Sequence, residues 1–97
     1  MSDPDDAPVE LPVTGELDLH AFAPRDVPSV VEEYVRACAE RGIELVRLVH
    51  GRGTGVQRAV VRRVLAGLPE VVAYHDAPPD SGGWGATLAR LRLDKRG

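Results

Sequence analysis

The apolar run IELVRLVH, residues 43–50, constrains the fold of this chain more than any other segment. A nearly continuous apolar run of this length is typical of an inner strand buried on both faces. Apolar residues on either side of it recur at spacings of three and four, which predicts two amphipathic helices. The first contains Val27, Val30, Val31, Tyr34, Val35 and Cys38; the second contains Val60, Val61, Val64, Leu65 and Leu68. We expect the first helix to begin near Asp26 or Val27 and to end at Gly42, and Pro69 to end the second.

Three further segments are predicted to be strands: GELDLH (15–20), VVAYHDA (71–77) and ATLARLRL (86–93). The order of elements is then β-α-β-α-β-β. Right-handed crossovers that step the same way along the sheet place both helices on one face. The last strand must run antiparallel to the third, because a short loop joins them. The chain is therefore predicted to be an α/β two-layer sandwich, with a mixed four-stranded sheet and one open sheet face.

The size and charge of the chain narrow its class. Its 97 residues, 43% of them apolar, suffice for one domain. Residues 1–14 are acidic and proline-rich and are predicted to be a disordered tail; the folded domain spans 15–93, and 94–97 form a second tail. Residues 13–97 carry 12 basic against 11 acidic side chains, so any nucleic-acid binding must be local. No apolar run approaches membrane-spanning length and no leader is visible, so we expect a cytoplasmic protein without membrane contact.

Two histidines end neighbouring predicted strands. His20 closes the first strand and His50 closes the second, so both imidazoles are expected at the carboxyl edge of the sheet, where open α/β sheets bind ligands. Asp18 precedes His20 by two residues and projects from the same face of its strand. One carboxylate and two imidazoles are therefore predicted to converge. The alternative is that Asp18 caps a turn and that the histidines make loop hydrogen bonds.

The segment HGRGTG, residues 50–55, leads directly into the second helix. Its glycines at 51, 53 and 55 allow the backbone to approach a ligand closely, and the following helix N-terminus attracts anions. Arg52 and Arg58 are candidates for phosphate contacts. The pattern matches neither the P-loop nor the dinucleotide-binding fingerprint. A tight strand-to-helix turn without a ligand is the alternative.

The segment GGWGAT, residues 82–87, surrounds Trp84 with Gly82, Gly83 and Gly85. A tryptophan among glycines has little side-chain cover, so we expect a partly exposed indole that can stack on a nucleic-acid base. In the alternative, Trp84 packs over a helix and shields the core from solvent.

The motifs LDLH (17–20), HGRGTG (50–55) and GGWGAT (82–87), in this order, resemble the Smr domain, the small MutS-related domain, over about residues 15–93. The resemblance implies a sandwich similar to the C-terminal domain of translation initiation factor 3, with the last strand inserted in the sheet. Several Smr domains are endonucleases that cut DNA or RNA, including messenger RNA on stalled ribosomes, and forms with LDLH are the ones usually linked to cleavage. By this resemblance Asp18 and His20 are the catalytic pair, and His50 with the loop glycines binds the substrate phosphate.

We therefore predict a cytosolic Smr-type endonuclease acting on RNA or DNA. His20 would act as general base or acid, Asp18 would orient it or bind a hydrated metal ion, and His50 would be the complementary acid or a phosphate ligand. The predicted nucleic-acid contacts are Gly51, Arg52, Gly53, Thr54, Gly55, Arg58, Gly83 and Trp84. A divalent cation such as Mg²⁺ is left open, as is the choice between a monomer and a weak dimer. Two alternatives remain: a non-catalytic nucleic-acid or ribosome-binding module, and a domain that dimerises through the open sheet face.

Overall fold

A computed structural model describes residues 13–93, which form two helices and one mixed four-stranded sheet. The strands are β1 (Glu16–Asp18), β2 (Leu45–Val49), β3 (Val71–Asp76) and β4 (Ala86–Leu91), and the helices are α1 (Val27–Glu40) and α2 (Val56–Ala66). The predicted order of elements and the predicted two-layer fold are confirmed. Of the two predicted tails, residues 1–12 and 94–97 lie outside the described residues. Val13 packs against the core, and the Thr14 amide donates to the Tyr34 hydroxyl at 3.3 Å.

The sheet has the strand order β1-β2-β4-β3. β1 and β2 are parallel, and β4 runs antiparallel to both of its neighbours, β2 and β3. β4 is therefore inserted between β2 and β3, as the Smr resemblance implies. This insertion makes β4 a central strand, and four of its six residues are buried. It also makes β1, β2 and β3 parallel to one another, so their carboxyl ends meet at one edge of the sheet.

The hydrophobic core lies between the helices and one face of the sheet. Each helix contributes the apolar stripe that its periodicity predicts: Val27, Val31, Tyr34, Val35 and Cys38 from α1, and Val61 and Leu65 from α2. The sheet contributes Leu17, Val46, Leu48, Ala89 and Leu91. Burying one such aliphatic side chain stabilises a fold by about 1.5–3 kcal/mol, so this cluster is the main favourable term for folding. None of the helices within residues 13–93 is both long and apolar enough to cross a membrane.

The first two strands differ from their predicted form. β1 ends at Asp18, two residues early, because the chain turns there into a short 3-10 helix, Leu19–Ala21, that carries His20. β2 is an inner strand, but only one of its faces is buried. Val46 and Leu48 are fully buried, whereas Leu45 is 54% exposed on the opposite face. The prediction of burial on both faces is wrong because both helices cover the same side of the sheet.

The helix ends follow local signals, with one correction. As predicted, α1 begins beside Asp26, its N-cap residue, and Gly42 adopts the left-handed conformation just beyond its end. Pro28 lies in its first turn, where the missing N–H of proline costs nothing. α2 ends at Ala66, before Pro69 is reached, because Gly67 is its C-cap. Leu68 then turns back into the core, where it is 7% exposed.

Candidate functional site

Asp18 and His20 form a hydrogen-bonded pair at the carboxyl edge of the sheet. The Asp18 Oδ1 atom accepts two hydrogen bonds from His20, one from its backbone amide at 2.9 Å and one from its ring Nδ1 at 2.7 Å. These hydrogen bonds, led by the one from the backbone amide, lower the pKa of the Asp18 carboxyl. The ionised carboxylate can only accept, so Nδ1 carries a proton and Nε2 of a neutral ring keeps its lone pair. The pair depends on the 3-10 turn, not on two positions of one strand.

The free ring nitrogen of His20 faces the glycine loop that follows β2. A Cβ atom placed on Gly51 would lie 2.7 Å from His20 Nε2, which is closer than real Cβ contacts allow. Gly51 also has a φ of +83°, a conformation that other residues resist. Only glycine therefore permits this loop to run beside the imidazole. The structure thus brings LDLH and HGRGTG together, although they are 30 residues apart in the chain.

The glycine loop ends at the N-terminus of α2. Gly55 is the N-cap residue, with a φ of +87°, and as a glycine it has no side chain that could accept a hydrogen bond from the first amides of the helix. Within residues 13–93 the amides of Arg52, Gly53 and Thr54 have no hydrogen-bond partner. Residues 50–57 line a cavity of about 180 Å³. Unpaired amides next to a helix N-terminus favour an anion, so the loop has the character of a phosphate site.

The Arg52 side chain lies across the GGWGAT loop. A Cβ atom on Gly83 would come within 3.0 Å of Arg52 Nη2, and one on Gly85 within 3.1 Å of its Cγ. The Arg52 side chain thus packs directly against two glycines of GGWGAT. The backbone joins the loops as well, because the amides of His50 and Gly51 both donate to the Gly85 carbonyl. Arg52 is exposed and makes no ion pair with any residue from 13 to 93, so its charge is available to a phosphate.

Trp84 stands at the other side of the glycine loop. Its indole is 41% exposed, in agreement with the predicted partial exposure, and its ring lies 3.8 Å from where a Gly55 Cβ would be. The guanidinium of Arg58 lies over the indole, 5.8 Å from its centroid. Arg58, a predicted phosphate contact, binds both carboxylate oxygens of Asp76 at 2.9–3.1 Å. Arg62 donates to the same carboxylate at 2.7 Å.

His50 is buried behind the loop, with 6% of its surface exposed. Its Nδ1 donates to the Gly51 carbonyl at 2.9 Å, since a carbonyl only accepts, and its Nε2 accepts from the Thr87 hydroxyl at 2.9 Å. Burial, as the largest cause, lowers the pKa of the ring below its ordinary value of 6.5. Both nitrogens of a neutral ring are thereby occupied. The structure does not bring His50 to the surface beside His20, where an acid or a phosphate ligand would have to lie.

The buried His50 predicts a measurable loss of stability in mild acid. Because its pKa is lowered in the folded state, the unfolded chain takes up more protons once the pH falls below about 6.5. The stability that neutral His50 contributes is complete above that pH and is lost as the pH falls through the folded pKa. We expect the free energy of unfolding, measured with urea between pH 7.5 and pH 5, to fall more steeply in wild type than in His50→Gln. Equal slopes would contradict this account.

The titratable side chains of the site do not form a metal cage. Within residues 13–93 no three histidine, cysteine, aspartate or glutamate side chains lie close enough together to hold a metal ion. Asp18 is the one carboxylate beside His20 among the residues described here, and its Oδ1 already accepts two hydrogen bonds. Asp76 is bound by two arginines. A cation at Asp18 would therefore depend on ligands from a substrate, as Mg²⁺ often does.

The fold and the site together define a small α/β domain whose parallel strands end in an Asp–His pair, a glycine loop and a tryptophan loop. The sequence pattern of the Smr domain family matches residues 17–92. The chain belongs to the Smr domain family.

Known relatives agree with this assignment. Endonuclease MutS2 of Thermus thermophilus is 34% identical over 77 residues, which are 79% of this chain and 10% of that protein. Endonuclease MutS2 of Lactiplantibacillus plantarum is 36% identical over 80 residues, 82% of this chain and 10% of that protein. The chain thus spans about a tenth of the length of these relatives.

Two solved structures share the fold. The crystal structure of the Smr domain of Thermus thermophilus MutS2 superposes with a TM-score of 0.76 at 33% identity, covering 81% of this chain and 99% of that one. The crystal structure of YdaL, a stand-alone small MutS-related protein from Escherichia coli, gives a TM-score of 0.70 at 26% identity, covering 87% of this chain and 69% of that one. The chain is therefore an Smr domain related to the endonuclease MutS2.

The sequence interpretation missed Asp76 and Thr87, which the structure places at this site. Asp76 ends β3, the third parallel strand, so the rule that placed His20 and His50 at the carboxyl edge applied to it equally. Thr87 is the last residue of GGWGAT, and its register opposite Leu48 brings it next to His50. For Thr87 the sequence held no comparable signal, because the partner of β4 is fixed only by the sheet order.

Proposed function

We propose that this chain is an Smr-type endonuclease that cleaves a phosphodiester bond of RNA or DNA. The observation that carries the proposal is the Asp18–His20 pair, whose proton-accepting Nε2 faces the glycine loop at Gly51. An imidazole oriented by a carboxylate, beside a site with anion-binding character, is the arrangement that general base catalysis at a phosphate requires. The names of the MutS2 relatives support the same activity.

In the proposed mechanism the glycine loop, Arg52, His20 and Asp18 have separate roles. The amides of Arg52, Gly53 and Thr54 and the N-terminus of α2 hold the scissile phosphate, and the Arg52 guanidinium stabilises the charge that develops on it. His20 Nε2 takes the proton from the attacking oxygen as the new P–O bond forms. Asp18 keeps the ring in the tautomer that this step needs and stabilises the imidazolium. The leaving oxygen departs with the electrons of the old P–O bond and takes a proton from solvent, and the His20 imidazolium returns its proton to solvent.

His50 has a positioning role in this mechanism. Its Nδ1–H holds the Gly51 carbonyl, and its backbone amide ties β2 to Gly85. These bonds fix the peptide that runs past His20. We therefore assign the proton transfer to His20 alone and replace the predicted acid or phosphate-ligand role of His50 by the support of the loop.

A second candidate is a non-catalytic module that binds nucleic acid or the ribosome. The burial of His50 favours it, since among residues 13–93 His20 is then the one exposed imidazole beside the glycine loop, and no second acid is evident there. In that case Arg52, Trp84 and the loop would suffice, and Asp18 and His20 would be dispensable.

The experiment that separates the two candidates measures cleavage and binding in the same samples. Wild type and the Asp18→Ala/His20→Ala variant are incubated with structured RNA and with supercoiled plasmid, each with added Mg²⁺ and with a chelator. The endonuclease predicts products from at least one substrate with wild type, and loss of cleavage but retention of binding in the variant. Binding without cleavage by wild type under every condition would favour the non-catalytic module.

A further inference from the structure

The position of Trp84 is unusual for the only tryptophan of the chain. A large apolar ring is normally buried, yet this indole is 41% exposed at the rim of the phosphate loop. Its sequence neighbours Gly83 and Gly85 have no side chains, and Gly55, which lies beside the ring, has none either. No side chain of these three neighbours can therefore cover the ring. It stands beside the start of α2, where the proposed function places the scissile phosphate.

The indole is held in place by a charged cluster. The Arg58 guanidinium lies over the Trp84 ring, and its three hydrogen bonds to Asp76, from Nε and Nη2 to the two carboxylate oxygens, fix its orientation. Arg62 binds the same carboxylate while its guanidinium lies 5.4 Å from the ring centroid of Tyr74. The two arginine hydrogen bonds, that of Arg58 first, lower the pKa of the Asp76 carboxyl, so it stays ionised and the cluster stays assembled.

This cluster changes what Arg58 can do. Arg58 uses its Nε and Nη2 atoms to bind the carboxylate, and the flat face of its guanidinium attracts an aromatic ring. Arg58 therefore acts as a support for the indole, and the free charge for the phosphate is that of Arg52. The site then divides into two parts: the phosphate loop with Arg52, and the Trp84 ring with Arg58 and Asp76 behind it.

We propose that Trp84 is a stacking subsite for an unpaired nucleobase adjacent to the cleaved phosphate, with Asp76 as the residue that positions it through Arg58. The inference rests on the proposed function, because it takes the phosphate loop as the binding site for the nucleic-acid backbone. A base in a duplex has both faces stacked on its neighbours and cannot stack on a side chain unless it leaves the helix. The substrate class is thus a single-stranded segment, loop or bulge, not a continuous duplex.

The test uses the fluorescence of the single tryptophan, measured in the full chain carrying His20→Ala so that the oligonucleotides stay intact. Single-stranded RNA and DNA of one sequence, the same strands with an abasic position at the bound nucleotide, and the matching duplexes are titrated. We expect quenching by intact single strands, with affinity about tenfold lower for the abasic strand and for the duplex. Whether RNA or DNA quenches the fluorescence more strongly shows which of the two nucleic acids supplies the stacked base. Equal quenching and affinity for intact, abasic and duplex probes would overturn the proposal.

Three variants test the roles of the ring and of its support by anisotropy with labelled strands. Trp84→Leu should lose the preference for the intact over the abasic strand, and Trp84→Phe should keep part of it. Asp76→Asn removes a negative charge, so its total affinity can rise, but its preference for the intact strand should fall because Arg58 is released. An unchanged preference in Trp84→Leu would overturn the subsite, and an unchanged preference in Asp76→Asn would overturn the positioning role.

These measurements are independent of the proposed catalysis. Base preference is a binding property, measured in a variant without the proposed general base. If wild type and His20→Ala cleave equally, the catalytic assignment fails, and the stacking result stands for the strands that a gel shows to be intact after titration. If the abasic strand binds as well as the intact one, the stacking subsite fails while the catalytic assignment stands.

Discussion

Replacing His20 by alanine is expected to lower the rate of cleavage by about 100- to 10,000-fold, the usual contribution of a positioned general acid or base. The His20 side chain is 63% exposed, so its removal leaves no cavity in the core and the fold should be retained. Binding should change little, because the proposed phosphate contacts are loop amides and Arg52. Single-turnover cleavage at saturating protein, together with a binding isotherm, measures the two effects separately.

His75 provides the matched control for this variant. It is also an exposed histidine, and its Nδ1 donates to the Asp76 carbonyl, but it lies on β3 and faces neither the glycine loop nor the Asp18 carboxylate. His75→Ala should cleave at the wild-type rate. If His20→Ala and His75→Ala retain the same activity as wild type, the assignment of the proton transfer to His20 is wrong.

Replacing Gly51 by alanine should abolish most activity through geometry alone. The added methyl group would lie 2.7 Å from His20 Nε2, so either the imidazole or the loop must move. Displacing a reacting group by about 1 Å can cost about 100-fold in rate. The positive φ of +83° adds a stability cost of about 1–2 kcal/mol for a residue with a side chain. Cleavage rate and urea unfolding of the same preparation give both quantities.

Gly42→Ala separates these two effects. Gly42 has a similar φ of +77°, but a Cβ atom there meets nothing within 4 Å, and the residue lies before β2, at the end of that strand opposite the glycine loop. We expect a similar loss of stability and an unchanged cleavage rate. Should Gly42→Ala lose as much activity as Gly51→Ala, general destabilisation would explain both, and the contact with His20 would carry no functional meaning.

The helices and the family could be predicted from the sequence because their signals are local. The apolar spacing of α1 and α2 reports which face each helix buries, and Pro28 and Gly42 mark the ends of α1 by their own backbone restrictions. Each of the three motifs is likewise a short run of adjacent residues, which can be recognised without the structure. Their number and order indicated the Smr family before any contact between them was known.

Chemical roles at the site were harder to predict, as His20 and His50 show. Both follow predicted strands, and spacing alone made them equivalent. One lies in an exposed turn bonded to Asp18, and the other lies in the core bonded to Thr87. Arg58 is a similar case, since its helical position suggested a free cation and the end of β3 supplies its carboxylate. The partners of His50 and Arg58 are Thr87 on β4 and Asp76 on β3, and both lie far from them in sequence.

The sequence by itself therefore determined the two helices, the strand segments, the family and the three motifs that meet at one edge of the sheet. Tertiary structure alone decided which histidine is exposed, which arginine makes no ion pair and which glycines leave room for a neighbouring side chain. The physical reason is one of range. Helix and turn preferences act between residues a few positions apart, whereas burial and ion pairing depend on the insertion of β4 between β2 and β3, which brings together groups from opposite ends of the chain.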